Sequence, residues 1–283
     1  MDTYARYLSF THQFSSHVIG KSLFGREIKA FFVGNPTVRP VIIQAAIHAR
    51  EWVSAEVCME MLTLATQMRL QGGYWFLPVT NPDGVLLATR GINTAPKAFR
   101  SFLICLNGGK DFSLWKANGR GVDLNVNFSA RHGEGKENVF APAPQNFVGN
   151  ASESEPCTKA LVHFTRAVNP CLTVSLHTKG QEIYYDFPLG KDVFSGDQAL
   201  GEQIFAPLNY PFKTAPFSVG GYKDWCIQAL QIPAYTVELF PDTLSHPVQR
   251  TALTGFTPKL QQILRNMEKV LWKNSKSSCA PPY

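Results

Sequence analysis

Residues 47–52 read Ile-His-Ala-Arg-Glu-Trp, and Ile47 is the last residue of an apolar, strand-like run that begins at residue 41. His48 and Glu51 are therefore three positions apart where a strand turns towards a helix. An imidazole and a carboxylate at this spacing can bind one cation, so the stretch predicts half of a zinc site. A surface histidine beside a glutamate that complements a helix dipole would produce the same pair, so the rest of the chain has to decide.

Later segments supply the remaining parts of such a site. Residues 172–177 form an apolar strand that ends at His177, and ligands of open α/β sheets gather beyond the carboxyl ends of strands. Residues 233–239 (Pro-Ala-Tyr-Thr-Val-Glu-Leu) place Glu238 inside another apolar strand. An unpaired buried carboxylate costs roughly several kcal/mol, so Glu238 requires a cation or a reaction as compensation. Residues 81–84 (Asn-Pro-Asp-Gly) by themselves predict a turn after the strand at 74–80.

Together with residues 121–128 (Gly-Val-Asp-Leu-Asn-Val-Asn-Phe), these segments resemble the zinc carboxypeptidases, the family of carboxypeptidase A. The resemblance extends from about Ser22 to Glu238 and follows the family's order and spacing. It implies that His48, Glu51 and His177 hold one zinc ion per chain. It also implies that Glu238 is the general base and acid, next to a catalytic metal with an open fourth position.

The resemblance further implies a cation that stabilises the tetrahedral oxyanion. It points to Arg50, inside the first motif, and to one basic residue in the segment 115–120 (Trp-Lys-Ala-Asn-Gly-Arg). Lys116 is favoured because a tryptophan precedes it, and Arg120 remains the alternative. Whichever of the two has no catalytic role belongs to a solvated basic loop.

One position departs from the family's digestive members, which have an arginine after the asparagine that corresponds to Asn125. That arginine grips the substrate's terminal carboxylate, whereas Val126 stands here and cannot. Lys223 is a candidate replacement, because the segment 218–225 resembles the one that lines the specificity pocket. Alternatively, Lys223 only pairs with Asp224.

The remaining candidate substrate-binding residues are Asn125, Tyr222 and Arg131. The segments around them resemble a bacterial branch of the family that cuts cell-wall peptides, including γ-D-glutamyl-diamino acid bonds. We therefore expect a bacterial zinc peptidase acting on muropeptide-like or acidic peptides. Two alternatives remain: a zinc N-acyl amino acid amidohydrolase, and a peptide-binding protein of the same fold with altered catalysis.

The pattern of elements predicts a three-layer α/β/α sandwich around a mixed, mostly parallel twisted sheet. Residues 27–33 and 41–47 are expected to pair as a hairpin, and long amphipathic helices are expected at residues 54–69 and 248–272. At 283 residues with 45% hydrophobic residues, the chain is expected to form one catalytic domain over residues 1–283.

Composition narrows the partners and the compartment. The net charge of +6 is scattered, without a basic block, which argues against a nucleic-acid partner. The six cysteines include no CxxC pair and predict no disulfide framework, which favours a reducing compartment. No signal peptide or membrane span is visible, so a cytoplasmic location is expected. The pattern predicts nothing about oligomeric state.

Overall fold

The computed structural model describes residues 2–187, 197–215 and 217–273. Their centre is one eight-stranded sheet with the order β1-β2-β4-β3-β5-β8-β6-β7. The strands are β1 (His17–Lys21), β2 (Glu27–Gly34), β3 (Val41–Ala45), β4 (Gly73–Leu77), β5 (Leu172–Thr178), β6 (Glu182–Tyr184), β7 (Phe212–Lys213) and β8 (Ala234–Leu239). The four central strands β4, β3, β5 and β8 run parallel to one another, which confirms the predicted mixed, mostly parallel sheet.

Helices cover both faces of this sheet. They are α1 (Thr3–Gln13), α2 (Val53–Thr66), α3 (Pro82–Arg90), α4 (Lys97–Asn107), α5 (Pro156–Val168), α6 (Gln198–Phe205), α7 (Tyr222–Trp225) and α8 (Thr257–Glu268). Alternate residues of β3 face opposite layers: Ile43 belongs to the core cluster that contains residues of α1, α2, α6 and α8, whereas Ile42 belongs to the cluster that contains residues of α5 and α7. The three-layer α/β/α prediction is therefore confirmed.

The predicted hairpin between residues 27–33 and 41–47 is wrong. Strand β2 pairs antiparallel with β1 and with β4, and β3 lies on the far side of β4. All five residues of β3 are buried, and a strand buried on both faces belongs in the middle of a sheet. Its neighbours β4 and β5 are parallel to it, and each is reached through a helical crossover.

Residues 81–84 are the beginning of helix α3 and not only a turn. The Asn81 side chain accepts a hydrogen bond from the N–H of Gly84 at 3.0 Å and caps the helix. Its amide group donates to the carbonyl oxygens of Ile47 and Ala117, at 3.1 and 3.2 Å. Asn81 thus joins the end of the β3 segment to the loop that carries Lys116.

The long helix predicted at residues 248–272 is shorter at its start. A 3-10 turn at Arg250–Leu253 precedes it, and Gly255 has a positive φ of 77°, a conformation that a helix cannot continue through. Helix α8 begins at Thr257, with a proline in its first turn, where the missing N–H is tolerated.

The cysteines differ from the prediction. Cys171 is disulfide-bonded, whereas Cys58, Cys105, Cys157 and Cys226 are free. The absence of a CxxC pair said nothing about this bond, because the sequence separation of cysteines does not determine which of them meet in the fold. The expectation of a reducing compartment loses its support. Within the described ranges, no helix has both the length and the apolar character needed to cross a bilayer.

Candidate active site

Three side chains converge at the carboxyl ends of the central strands. His48 and Glu51 lie on the turn after β3, and His177 is the penultimate residue of β5, the neighbour of β3. The Nδ1 atom of His48 lies 2.9 Å from Oε1 of Glu51, and Nδ1 of His177 lies 3.1 Å from Oε2 of the same carboxylate. The two Nδ1 atoms are 3.2 Å apart. Two imidazoles and one carboxylate therefore face a common point.

The arrangement fits a zinc ion. One donor atom from each residue lies within 4.8 Å of the others, and all three residues are buried. Burial alone would raise the pKa of Glu51, but His48 and His177 outweigh it and hold the pKa well below the usual range. The ionised carboxylate and the two ring nitrogens are the donor set that zinc takes in catalytic sites with an open fourth position.

Asp123 contacts the ring nitrogen of His48 that faces away from the cluster, and Lys116 contacts Asp123. Nε2 of His48 lies 3.2 Å from Oδ1 of Asp123, and Nζ of Lys116 lies 2.8 Å from Oδ2. Burial opposes ionisation of Asp123, but Lys116 and His48 hold its pKa well below the usual range. A carboxylate on the outer ring nitrogen fixes the tautomer that leaves Nδ1 free to bind a metal.

Glu238 stands beside the cluster on β8, directly opposite His177 of β5 in the parallel register. Burial raises the pKa of its carboxyl to about 8, with Glu51 and Glu182 adding to the rise and His177 and Lys116 opposing it. A carboxyl group whose pKa lies near neutrality can both accept and return a proton at working pH.

Several of these residues line one cavity of about 320 Å³. His48, His177 and Glu238 form part of its wall together with Lys116, which also donates a hydrogen bond to Asn146 at 3.3 Å. Other lining residues come from loops, from strands β6 and β8 and from helix α7: Asn125, Val126, Asn146, Tyr184, Thr236, Lys223 and Asp224. The cavity therefore extends from the metal-binding cluster to a region that contains a positively charged and a negatively charged side chain, Lys223 and Asp224.

Lys223 lies at the cavity wall and pairs with Asp224, so its role in binding a substrate stays a prediction. It lines the cavity and is only 8% exposed. Its ammonium group donates to Oδ1 of Asp224 at 2.6 Å and to the carbonyl oxygen of Asp186. An ammonium has three protons, so these two contacts leave one N–H for another acceptor.

Several predicted site residues lie elsewhere. Arg120 is 44% exposed at its side chain and faces Glu155, and Arg131 pairs with Glu134 on the surface. Arg50 contacts Gln145 at 3.1 Å, and neither it, Arg120 nor Arg131 lines the cavity.

Tyr222 is fully buried, and its hydroxyl lies 2.8 Å from that of Thr165, so its side chain supports the cavity wall from outside. Asn125 does line the cavity, and its Oδ1 accepts a hydrogen bond from the backbone N–H of Tyr222 at 3.1 Å.

Comparison with known proteins places this geometry in a family. The zinc carboxypeptidase model, Peptidase_M14, matches residues 2–204. The chain belongs to the zinc carboxypeptidase family. Its members are peptidase hydrolases that depend on zinc.

The relatives of this zinc carboxypeptidase-family chain include bacterial and animal proteins. A γ-D-glutamyl-L-diamino acid endopeptidase of Lysinibacillus sphaericus is 32% identical over 81% of the chain. The chain spans 61% of that protein and 64% of a similar uncharacterised protein of Bacillus subtilis, about three fifths of their lengths.

Solved structures share the fold. Bovine thrombin-activatable fibrinolysis inhibitor, solved with tick carboxypeptidase inhibitor, superposes with a TM-score of 0.74 at 20% identity, covering 96% of each chain. The murein-tripeptide amidase MpaA of Escherichia coli O157 gives a TM-score of 0.59 at 23% identity, covering 88% of this chain and 91% of its own.

The sequence pattern of this family member predicts no role for Asp123, Asn146 or Tyr184. Asp123 belongs to the segment 121–128, and its buried position beside His48 depends on a loop conformation that the sequence pattern does not predict. One feature of the sequence could have indicated Tyr184. It follows the strand of His177 closely and lies two residues after Glu182, so the two side chains would share a face of a strand.

Proposed function

We propose that the chain is a zinc-dependent peptidase that cleaves amide bonds in acidic, cell-wall-type peptides, with γ-D-glutamyl-diamino acid peptides as the preferred class. The observation that carries the proposal is the convergence of His48, Glu51 and His177 on one point, at the wall of a cavity that also contains Glu238. A peptide-binding protein without catalysis has no use for a half-buried glutamate whose pKa is raised to about 8.

In this proposal His48, Glu51 and His177 hold the metal. Zinc, when bound, supplies Lewis acidity, which lowers the pKa of water and polarises a carbonyl oxygen. Glu238 accepts a proton from the attacking water and returns it to the leaving nitrogen. Lys116 has one N–H not used by Asp123 or Asn146, and we assign it to the oxygen that becomes negative during attack.

The substrate class follows from the charges of the cavity. Val126 provides no partner for a terminal carboxylate, so an ordinary C-terminal peptide lacks its usual anchor. The buried Lys223 has one N–H available to bind a carboxylate within the cavity. The similarity to the Lysinibacillus γ-D-glutamyl-L-diamino acid endopeptidase supports a substrate that carries carboxylates along its length.

One assay tests the proposal and its alternatives together. Purified protein is loaded with zinc and incubated with muropeptides, ordinary C-terminal peptides and N-acyl amino acids, with and without a chelator. We expect chelator-sensitive cleavage of the muropeptides above all others. Preferred cleavage of N-acyl amino acids would establish an amidohydrolase instead, and binding without turnover of any substrate would establish a peptide-binding protein.

A further inference from the structure

Strand β6 supplies a wall of the cavity that lies outside the metal-binding cluster. It pairs antiparallel with β8, so that Tyr184 stands opposite Thr236 and Glu182 stands opposite Glu238. Residues directly opposite each other in an antiparallel pair project from the same face of the sheet. Tyr184 and Glu182 therefore share the face of Glu238, and Tyr184 lines the cavity itself.

A short chain of polar contacts determines what the Tyr184 hydroxyl can do. The hydroxyl donates its proton to Oε1 of Glu182, and the ammonium group of Lys213 pairs with Oε2 of the same carboxylate. Burial and Glu182 both raise the pKa of Tyr184, so the phenol stays protonated at neutral pH. A phenol has only one proton to donate, so its oxygen can only accept a further hydrogen bond.

The cavity thus carries two complementary features. Lys223 has a free N–H, which suits an acceptor such as a carboxylate, and Tyr184 has free lone pairs, which suit a donor. An amino acid side chain with an ammonium group is a pure donor, with three protons and no acceptor. Glu182 strengthens this preference because its carboxylate polarises the phenol towards accepting a positively charged donor.

We propose that Tyr184 is a specificity-determining residue whose oxygen accepts a hydrogen bond from the side-chain amine of the substrate residue that enters the cavity. This inference rests on the proposed peptidase function and names a residue that distinguishes a diamino acid from an apolar one. Glu182 and Lys213 act as positioning residues, because they hold the phenol in its accepting orientation.

The test compares two dipeptides, γ-D-glutamyl-L-lysine and γ-D-glutamyl-L-norleucine, which differ only in the side-chain amine. The measured quantity is the ratio of kcat/KM for the two dipeptides with zinc-loaded full chain, because effects on the shared chemistry cancel in that ratio. We expect Tyr184→Phe to lower the lysine-to-norleucine ratio about tenfold, the size of one hydrogen bond to a charged group. Glu182→Gln should lower it too, since the phenol proton is no longer tied to a carboxylate.

Tyr185→Phe is the matched control. Tyr185 is the next residue along the chain, and its ring contacts Phe212 at a centroid distance of 5.8 Å, away from the cavity lining. Its ratio should equal that of the unsubstituted protein. A ratio for Tyr184→Phe within about twofold of the unsubstituted protein would overturn the inference, because a charged hydrogen bond contributes more than that.

The two proposals fail in different ways. If the unsubstituted protein cleaves neither dipeptide, the proposed function fails, and calorimetric binding of the same two dipeptides to the unsubstituted and Tyr184→Phe proteins then decides the role of Tyr184. If Tyr184→Phe does not fold, as judged by thermal unfolding, Glu182→Gln decides it through the same ratio. An unchanged ratio in either measurement counts against Tyr184.

Discussion

The two ends of the cavity differ in how their charges are arranged. At the metal-binding end, every charged group has a charged neighbour: Glu51 lies between His48 and His177, and Asp123 lies between His48 and Lys116. At the other end, Val126 is apolar where the resemblance gives the family's digestive members an arginine.

Polar groups at that second end retain unused hydrogen-bonding capacity, as the free N–H of Lys223 and the lone pairs of Tyr184 illustrate. At the metal-binding end the carboxylates Glu51 and Asp123 are paired, and the unused N–H of Lys116 is the one that we assign to the oxyanion. The unused capacity at the second end suits selection among substrates. In the proposed function, the reaction chemistry and the substrate preference of this chain therefore belong to separable sets of residues.

The largest expected effect tests whether the metal-binding end performs the chemistry. Replacing Glu238 by Gln removes the proton acceptor while keeping the shape of the side chain. We expect kcat on the preferred peptide to fall at least about a thousandfold, with zinc content unchanged by elemental analysis. Glu137→Gln, at a residue that also lines the cavity, is the isosteric control and should retain activity. An undiminished rate for Glu238→Gln would remove Glu238 from the mechanism.

The next effect separates the two basic residues of the segment 115–120. Lys116→Met should lower kcat about a hundredfold, because the oxyanion loses a hydrogen-bond donor. Arg120→Met should leave kcat within about twofold, since its guanidinium group faces Glu155 at the surface. Steady-state kinetics with thermal unfolding of both variants makes the comparison. Equal losses in the two variants would contradict the assignment to Lys116.

The raised pKa of Glu238 should make the free energy of unfolding depend on pH. The folded-state pKa of Glu238 is raised to about 8, so the folded chain holds a proton there that the unfolded chain releases above about pH 4.5. Stability therefore falls as the pH rises from about 4.5 to 8. In chelator-treated protein, we expect Glu238→Gln to be more stable by about 2 kcal/mol at pH 8, with the difference disappearing near pH 4.5.

Denaturant unfolding of both proteins at pH 5 and pH 8 measures this difference. The Glu137→Gln variant again serves for comparison, because its carboxylate is exposed to solvent. A constant difference between Glu238→Gln and the unsubstituted protein at both pH values would mean that the Glu238 carboxyl is not protonated in the folded state.

The smallest expected effect tests the substrate-selecting end. Lys223→Met should lower the preference for an acidic over a neutral peptide about tenfold, because one charged hydrogen bond is lost, and should leave the rate on the neutral peptide nearly constant. Lys136→Met, at an exposed residue outside the cavity lining, is the control. If the preference survives in Lys223→Met, the lysine only pairs with Asp224, and the carboxylate has another partner.

The sequence predicted the two ends of the cavity with different success, for a physical reason. Strands β3, β5 and β8 are apolar runs that the pattern predicts, and His48, His177 and Glu238 lie at or just beyond their carboxyl ends. The pattern therefore places these residues at one edge of the sheet, and the family resemblance brings them together in one site.

The other end is built from loops and from the short strands β6 and β7, three and two residues long, which have no periodicity to read. Tyr222 illustrates the limit. It stands next to Lys223 in sequence, but the first turn of α7 points its ring into the core, beside Phe128 and Trp225.

The adjacency of β3 and β5 has a consequence for folding. His48 and His177 are 129 positions apart along the polypeptide, yet their ring nitrogens are 3.2 Å apart. A metal ion held by both residues would bind the folded chain far better than the unfolded chain, in which a large loop would first have to close. The melting temperature should therefore rise with the free zinc concentration, and the size of that rise would measure how strongly the folded chain binds the ion.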